Sequence, residues 1–395
     1  MAQSASRFIG FIYTIFIARS LGVADFGLYT VSLSYFSLIS SIADFGLNRF
    51  LIRESALKRY KISELICNIS LLRLTITCVL FAVFSLILYA LDPDKGRVSF
   101  ALLAVLAVVP LSLAQTLDAA FAGIRKLQYS AISLFALSIF TALFGIFLIK
   151  MGFGTTGAIV ALILGHVAYY LIQLVLIRRD KISIISKVEF ETLKRVLNGS
   201  YLYGILGVIG LVSFKIDTII LSYFRGNFET GIYGASFKFL ESISFIPTIF
   251  STALFPILTK LHEQSSQQLR IIYIKSIKIM LVLGGLSALG FAFVLPAVIN
   301  IFLPKFLASI PVLRILAISI PFIFLHIPSA QVILSTDKYL KQALFIFSFL
   351  LIMNISLYLI FIPPFGYFGA AWVSVFSEIS TFVAFYIFLR LKVLR

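Results

Sequence analysis

Runs of about twenty apolar residues follow one another through almost the whole chain, separated by short polar turns. In hydrocarbon the backbone of each run must satisfy its own hydrogen bonds, which makes each run a helix. Read by length and apolarity, the spans are 2–21, 28–50, 66–91, 98–121, 127–149, 156–177, 198–222, 231–257, 276–302, 308–334, 341–363 and 367–389. Composition agrees. Only 12% of residues are charged, where a soluble domain carries about a quarter, and mean hydropathy is +1.07. The 41 phenylalanines are too many for a soluble surface to hide. The first span is the most polar, with Gln3, Ser4, Ser6 and Arg7. A native start further upstream, or a short first helix, would account for it. No cleavable signal peptide is expected, because the first run lacks a small-residue cleavage site.

The turn after the first span recurs. LGVADFGLYTVS (21–32) is echoed by RGNFETGIYGAS (225–236), at an offset of about 204 residues. Gly22 falls on Gly226, Asp25 on Glu229, Gly27 on Gly231, Tyr29 on Tyr233 and Ser32 on Ser236. Further on, GTTGAIVALILGH (154–166) matches GYFGAAWVSVFSE (366–378) at an offset of about 212, which pairs Gly154 with Gly366 and His166 with Glu378. Pro110 pairs with Pro321 near the same offset. A fixed-offset echo marks a duplicated unit. The expectation is an all-α polytopic membrane protein with about twelve helices in two six-helix bundles. The bundles span residues 1–177 and 198–395, and both start on the same side, so the repeat is parallel.

Loop charge sets the orientation. About 24 of the 33 Lys and Arg lie near the termini or the loops after even-numbered spans, and about 6 near the others; cationic loops stay in the cytoplasm. Both termini, the basic stretch 53–61 and the 178–197 segment are therefore expected there. This reading also absorbs the net charge of +17 without nucleic acid. In 178–197, Ile185, Val188, Leu193, Val196 and Leu197 approximate one helical face, which suits a linker helix lying in the interface; a solvated linker is the alternative.

Two halves with a seam between them describe an alternating-access carrier, and ionisable groups inside the membrane mark its pathway. The candidates are Asp44, Asp118, His166, Lys215, Asp217, Lys238, Glu241, Arg314, His326 and Glu378. Counted inward at about 1.5 Å per residue, Lys215, Asp217 and Lys238 fall in the outer half of the bilayer. Glu241, His166, His326 and Glu378 come near the middle, and Asp44 and Asp118 toward the cytoplasm. Lys238 and Glu241, three apart, share a helix face. That pair suits a substrate contact or a structural ion pair equally. His166 and His326 suit proton carriage or satisfied packing. Pro247, Pro256, Pro321 and Pro328 are expected to kink their helices.

Other chemistries find little support. No P-loop, H-E-x-x-H or G-x-S-x-G occurs. Asp92-Pro93-Asp94 forms a D-x-D, but in a turn too short to build a sugar-nucleotide pocket. Cys67 and Cys78 lack metal-ligand spacing and read as reduced packing residues. No catalytic residue, metal or cofactor is called for, and the chain is not read as an enzyme.

ARSLGVADFGLYTVSLSYFSLISSIADFGLNRFLIRE (18–54) resembles the opening hairpin of polysaccharide-export flippases, the O-antigen (Wzx-type) and teichoic-type translocases of the MATE-like MOP superfamily. DTIILSYFRGNFETGIYGASFKF (217–239) is similar to their seventh and eighth spans. The resemblance implies a V-shaped pair of bundles around a cavity in the cell (inner or plasma) membrane. It implies a lipid-linked oligosaccharide substrate, typically on undecaprenyl pyrophosphate, carried from the inner leaflet to the outer. It also implies a glycan polymerase and glycosyltransferases as working partners. Lys238, Lys215 and Arg314 could then face the pyrophosphate, with Glu241, Asp217, His166 and Glu378 for ion or proton coupling. The family's usual leading basic segment is missing here. Acids outnumber bases within the spans, which would also suit a drug/cation antiporter of the same superfamily; a lipid II flippase is a third carrier on this fold.

Overall fold

A computed structural model describes residues 2–57 and 61–393. Lys58 and Arg59 of the basic 53–61 stretch, and Arg395, lie outside them. The described residues are helical almost throughout and contain no strand. In chain order the helices are α1 Ala2–Leu21, α2 Val23–Asp44, α3 Leu47–Ala56, α4 Ile62–Leu91, α5 Lys95–Val105, α6 Val108–Gly123, α7 Leu127–Leu148 and α8 Gly154–Arg179. Then follow α9 Phe190–Ile243, α10 Phe245–Gln264, α11 Ser266–Leu289, α12 Leu295–Phe302, α13 Ser309–Ala317, α14 Ile320–Leu334 and α15 Leu340–Phe388. Seven stretches among the described residues are long and apolar enough to cross a membrane, or eight if the bent pair α13–α14 counts as one. The chain forms two compact units, Met1–Lys215 and Ile216–Arg395.

Helix α9 has 54 residues and α15 has 49. Straight helices of that length would reach about 75–80 Å, more than twice a bilayer core. Each is instead turned at a glycine. Gly226 has φ 78° and ψ −176°, and Gly366 has φ 56° and ψ −135°. Only glycine enters these regions without a large steric cost. Beyond each break the chain doubles back. Tyr233 reaches Asp217 across the first turn; Asn354 reaches Ser377, and Tyr358 reaches Ser374, across the second. The first unit carries the same two devices: Gly22, between α1 and α2, has φ 87° and ψ 179°, and Gly154, between α7 and α8, has φ 51° and ψ −132°.

In the first unit the core is built around Leu47, Leu51, Leu65, Ile69, Phe121 and Ile177. Helix α2 ends at Asp44, where Phe45 and Gly46 turn left-handed. That break lies against the start of α9: a Cβ on Gly46 would collide with Ser200 and Gly204 backbone, and one on Gly204 with Phe45 backbone. Arg49 stands 5.3 Å from the centre of the Tyr203 ring. In the second unit, Leu258, Leu269, Tyr273, Val332, Ala343 and Phe385 form the corresponding core. There α13 meets α14 at 47°. Pro321 sits in the first turn of α14, where it costs no hydrogen bond, while Pro256 and Pro328 lie inside α10 and α14.

The 178–197 segment is not a helix over its whole length, as its apolar spacing suggests. Helix α8 ends at Arg179, residues 180–189 are not helical, and α9 begins at Phe190. The cause is a distant partner. The Asn68 amide donates to the Lys187 carbonyl (3.2 Å) and accepts from the Glu189 N–H (3.1 Å). The Cys67 thiol donates to the Ser186 carbonyl at 3.3 Å. These bonds from α4 take up the backbone groups that a helix would have used internally.

Candidate functional site

The second unit holds three neighbouring groups of polar side chains among apolar helices. Asp217 in α9 is 1% exposed. Its carboxylate accepts from the Tyr233 hydroxyl at 2.5 Å, the Thr218 N–H at 2.6 Å and the Thr218 hydroxyl at 3.2 Å. The Tyr233 hydroxyl lies 3.0 Å from the Ser374 hydroxyl, which lies 3.1 Å from that of Tyr358. One turn along α15, the Asn354 amide donates to Ser377 at 2.7 Å. The next residue, Glu378, brings Oε2 to 2.7 Å from Nδ1 of His326 in α14. That contact is short but off the hydrogen-bond axis, so it is ionic in character when the imidazole is protonated. Thus α9 and α15 contribute acids and hydroxyls, and α14 an imidazole, to one polar line. Desolvated polar groups are held in hydrocarbon only when they are paired in this way.

Lys238 and Glu241 meet as their spacing predicts: Nζ lies 2.8 Å from Oε2, and both side chains are partly exposed. Lys215 closes the first unit. It is buried, with its ammonium 5.2 Å from the centre of the Phe214 ring. Arg314 is exposed in the last turn of α13. His166 in the first unit is buried, with Nδ1 2.7 Å from its own helix at the Leu162 carbonyl and its ring 5.3 Å from that of Phe36. Asp118 receives the Gln173 amide at 3.5 Å. The expected residues therefore divide. Asp217 and Glu378 belong to the polar line, Lys238 and Glu241 form their own pair, and His166 and Arg314 stand in separate surroundings. Among the described residues no group of three or more His, Cys, Asp or Glu side chains is arranged to hold a metal.

Two structural roles escape a reading of the sequence. Arg73 in α4 is fully buried and binds Asp44, the Asn48 side chain at 2.8 Å and the Ser112 carbonyl at 2.9 Å, tying α2, α3, α4 and α6 together. A base two turns into an apolar run looks like one that snorkels to the interface, and only the fold shows that it turns inward. The second is the D-x-D. Asp92 holds Arg97 through two bonds of 2.7 and 2.6 Å, and Asp94 caps α5 by accepting the Arg97 N–H at 3.0 Å. Burial alone would raise the Asp92 carboxyl. The Arg97 side chain, the Asp94 N–H and the nearby cations outweigh it and hold the group below the usual carboxylate range. Both acids of the motif are spent on the turn.

Comparison with known proteins bears on the whole chain. An inward-facing multidrug-resistance MATE transporter of the MOP superfamily superposes with a TM-score of 0.80 at 14% identity, over 98% of this chain and 94% of that one. The lipid II flippase MurJ, inward closed, superposes with a TM-score of 0.79 at 15% identity, over 98% and 86%. At these identities the likeness describes the fold. A Shigella flexneri protein named as a candidate O-antigen transporter is 25% identical over 272 residues, 63% of this chain. The chain spans 62% of that relative's length. The family described as "Polysaccharide biosynthesis protein" matches residues 1–262. On that match, with a MATE-like helical fold beneath it, the chain belongs to the polysaccharide biosynthesis protein family.

Proposed function

We propose that the chain is a flippase that carries a polyprenyl-pyrophosphate-linked oligosaccharide from the inner to the outer leaflet of the cell membrane by alternating access, for polysaccharide export. The family match over residues 1–262 carries this reading. The O-antigen relative and the MOP fold support it. The reading assigns the chain no bond-making step. Its acids and bases serve binding and coupling.

We further infer twelve crossings in two parallel six-helix bundles, 1–177 and 198–395, joined by 178–197. The matched glycine turns support this. Gly22 and Gly226 share one backbone conformation, and Gly154 and Gly366 share another. The breaks before α6 and α14 keep the offset of about 212 residues found at the second glycine pair. Counting each glycine-turned stretch as two crossings raises the number of spans toward twelve.

Within this reading Lys238, then Lys215 and Arg314, contact the pyrophosphate, and Glu241 holds Lys238 when substrate is absent. Asp217 and Glu378 act in coupling, Glu378 with His326 as its partner; His166 takes the same role in the first bundle. The test is export measured against membrane protein level. Lys238→Ala is expected to abolish export at normal abundance, Lys238→Arg to retain part of it, and Glu241→Gln to be milder. A purely structural pair gives another pattern: each single truncation lowers abundance by leaving a desolvated charge, and Lys238→Met/Glu241→Gln restores both abundance and export. A fully active double variant would overturn the assignment.

A further inference from the structure

The segment between α8 and α9 presents a surface that the transport reading leaves unused. It is not helical between Arg179 and Phe190, it bends at Ile184, and its exposure alternates from Lys181 to Lys187. Ile182 and Ile184 pack onto the core of the first unit. Ile185 points away and is 80% exposed, and Phe190, opening α9, is 82% exposed. Val188 between them is exposed as well. Lys181 and Lys187 flank Ile185, and both are exposed. The acids nearby are already engaged: Asp180 with Lys126 at 2.6 Å, Glu191 with Arg195 at 3.6 Å, and Glu189 with the Thr192 hydroxyl at 3.1 Å. The backbone does not swing freely, because Asn68 and Cys67 pin it at Ser186, Lys187 and Glu189.

We propose that residues 181–190 form a fixed strap that seats in the headgroup layer of a bilayer and takes anionic phospholipid there. Charge and shape both favour that occupant. Large apolar side chains held in water are unfavourable by their whole exposed area, whereas the headgroup–acyl boundary accepts them. Lysines beside such a side chain meet lipid phosphates, and each contributes attraction that falls off within a Debye length. A soluble protein would need a wider face than one ten-residue segment offers. The proposal does not depend on the flippase reading: it concerns where the strap lies, whatever the chain carries.

The test uses the full chain in nanodiscs. A Cys67→Ser/Cys78→Ser background keeps a donor at position 67 and leaves Ile185→Cys as the labelled site for an environment-sensitive fluorophore. Discs of phosphatidylcholine alone are compared with discs containing phosphatidylglycerol. The expected result is blue-shifted emission, quenched by a lipid-borne nitroxide, that strengthens with phosphatidylglycerol and weakens with salt. Lys181→Gln and Lys187→Gln should each raise the phosphatidylglycerol fraction needed for half the shift, by up to about fivefold. Water-like emission in both discs would overturn the proposal and leave the face to a soluble partner. Emission buried equally in both, insensitive to salt and to either lysine, would overturn the anionic-lipid part and leave a plain apolar anchor. Export assayed on the same variants is a separate readout, so loss of transport and loss of lipid contact are told apart.

Discussion

Arg73 is the largest side chain that the fold hides completely. Three acceptors surround its guanidinium, one of them a carboxylate, while its Nε has no hydrogen-bond partner among the described residues. Such a group is stable only as part of its pair. Removing one partner strands a desolvated charge at a cost of about 3–5 kcal/mol, whereas replacing both by apolar groups of similar volume is near neutral. Arg73→Met is therefore expected to lower thermal stability in detergent and membrane abundance sharply, and Arg73→Met/Asp44→Leu to recover most of both. A double variant as unstable as the single would mean that Arg73 acts through Asn48 and Ser112 rather than through Asp44. At this scale the sequence is half legible. An acid such as Asp217 or Glu378 inside an apolar run is conspicuous, and the i, i+3 pair at 238 and 241 follows from helix geometry alone. Partner choice across helices is not written locally. The repeat places Glu378 opposite His166 in alignment, yet its carboxylate contacts His326, four spans further along the chain than His166.

The elements are shaped by where glycine falls. Gly154 and Gly366 have nearly the same torsions but different surroundings. A Cβ on Gly154 would meet open space, and one on Gly366 would meet the Glu229 carboxylate. Glu229 is not free to move aside without loss, since it accepts the Tyr367 N–H at 3.2 Å and Arg225 Nε at 2.8 Å. Both Gly→Ala variants share a backbone cost of about 1–3 kcal/mol. Gly366→Ala adds that of a displaced hydrogen-bonded carboxylate, about 1 kcal/mol more. Thermal unfolding of the two variants should differ by that increment, and Glu229→Ala should erase the difference. Equal losses at 154 and 366 in the native background would sink the assignment. The turns themselves are legible, because a glycine in a short polar break between apolar runs has few other uses. The 178–197 segment is not. Five apolar residues fit a helical face there, but Asn68, more than a hundred positions earlier, holds 186–189 as a non-helical strap. A long-range side-chain bond of this kind leaves no periodic mark near the residues it controls.

For the whole molecule the open quantity is orientation, which loop charge decides during insertion. The turn at 92–97 is the instructive case, because it carries Lys95 and Arg97 on the side expected to be outside. Both are held locally, and the turn's two acids, Asp92 and Asp94, match their charge. Arg97 is doubly bonded to Asp92, and Lys95 donates to the Tyr89 carbonyl at 2.7 Å and the Asp92 carbonyl at 3.1 Å. Among the described residues nothing equivalent restrains the exposed Lys181 and Lys187, or Arg178 and Arg179 at the end of α8. Retention of cations on the cytoplasmic side is then expected to leave 178–190 inside and 92–97 outside, with both termini inside if the crossings number twelve. A cysteine at position 95, in a background with Cys67 and Cys78 replaced by serine, should react in intact cells with a membrane-impermeant maleimide. One at position 187 should react only after permeabilisation. Labelling of 187 in intact cells would reverse the orientation and with it the direction of the proposed transport. Labelling of both positions from the same side would break the alternation between them and, with it, the two parallel bundles.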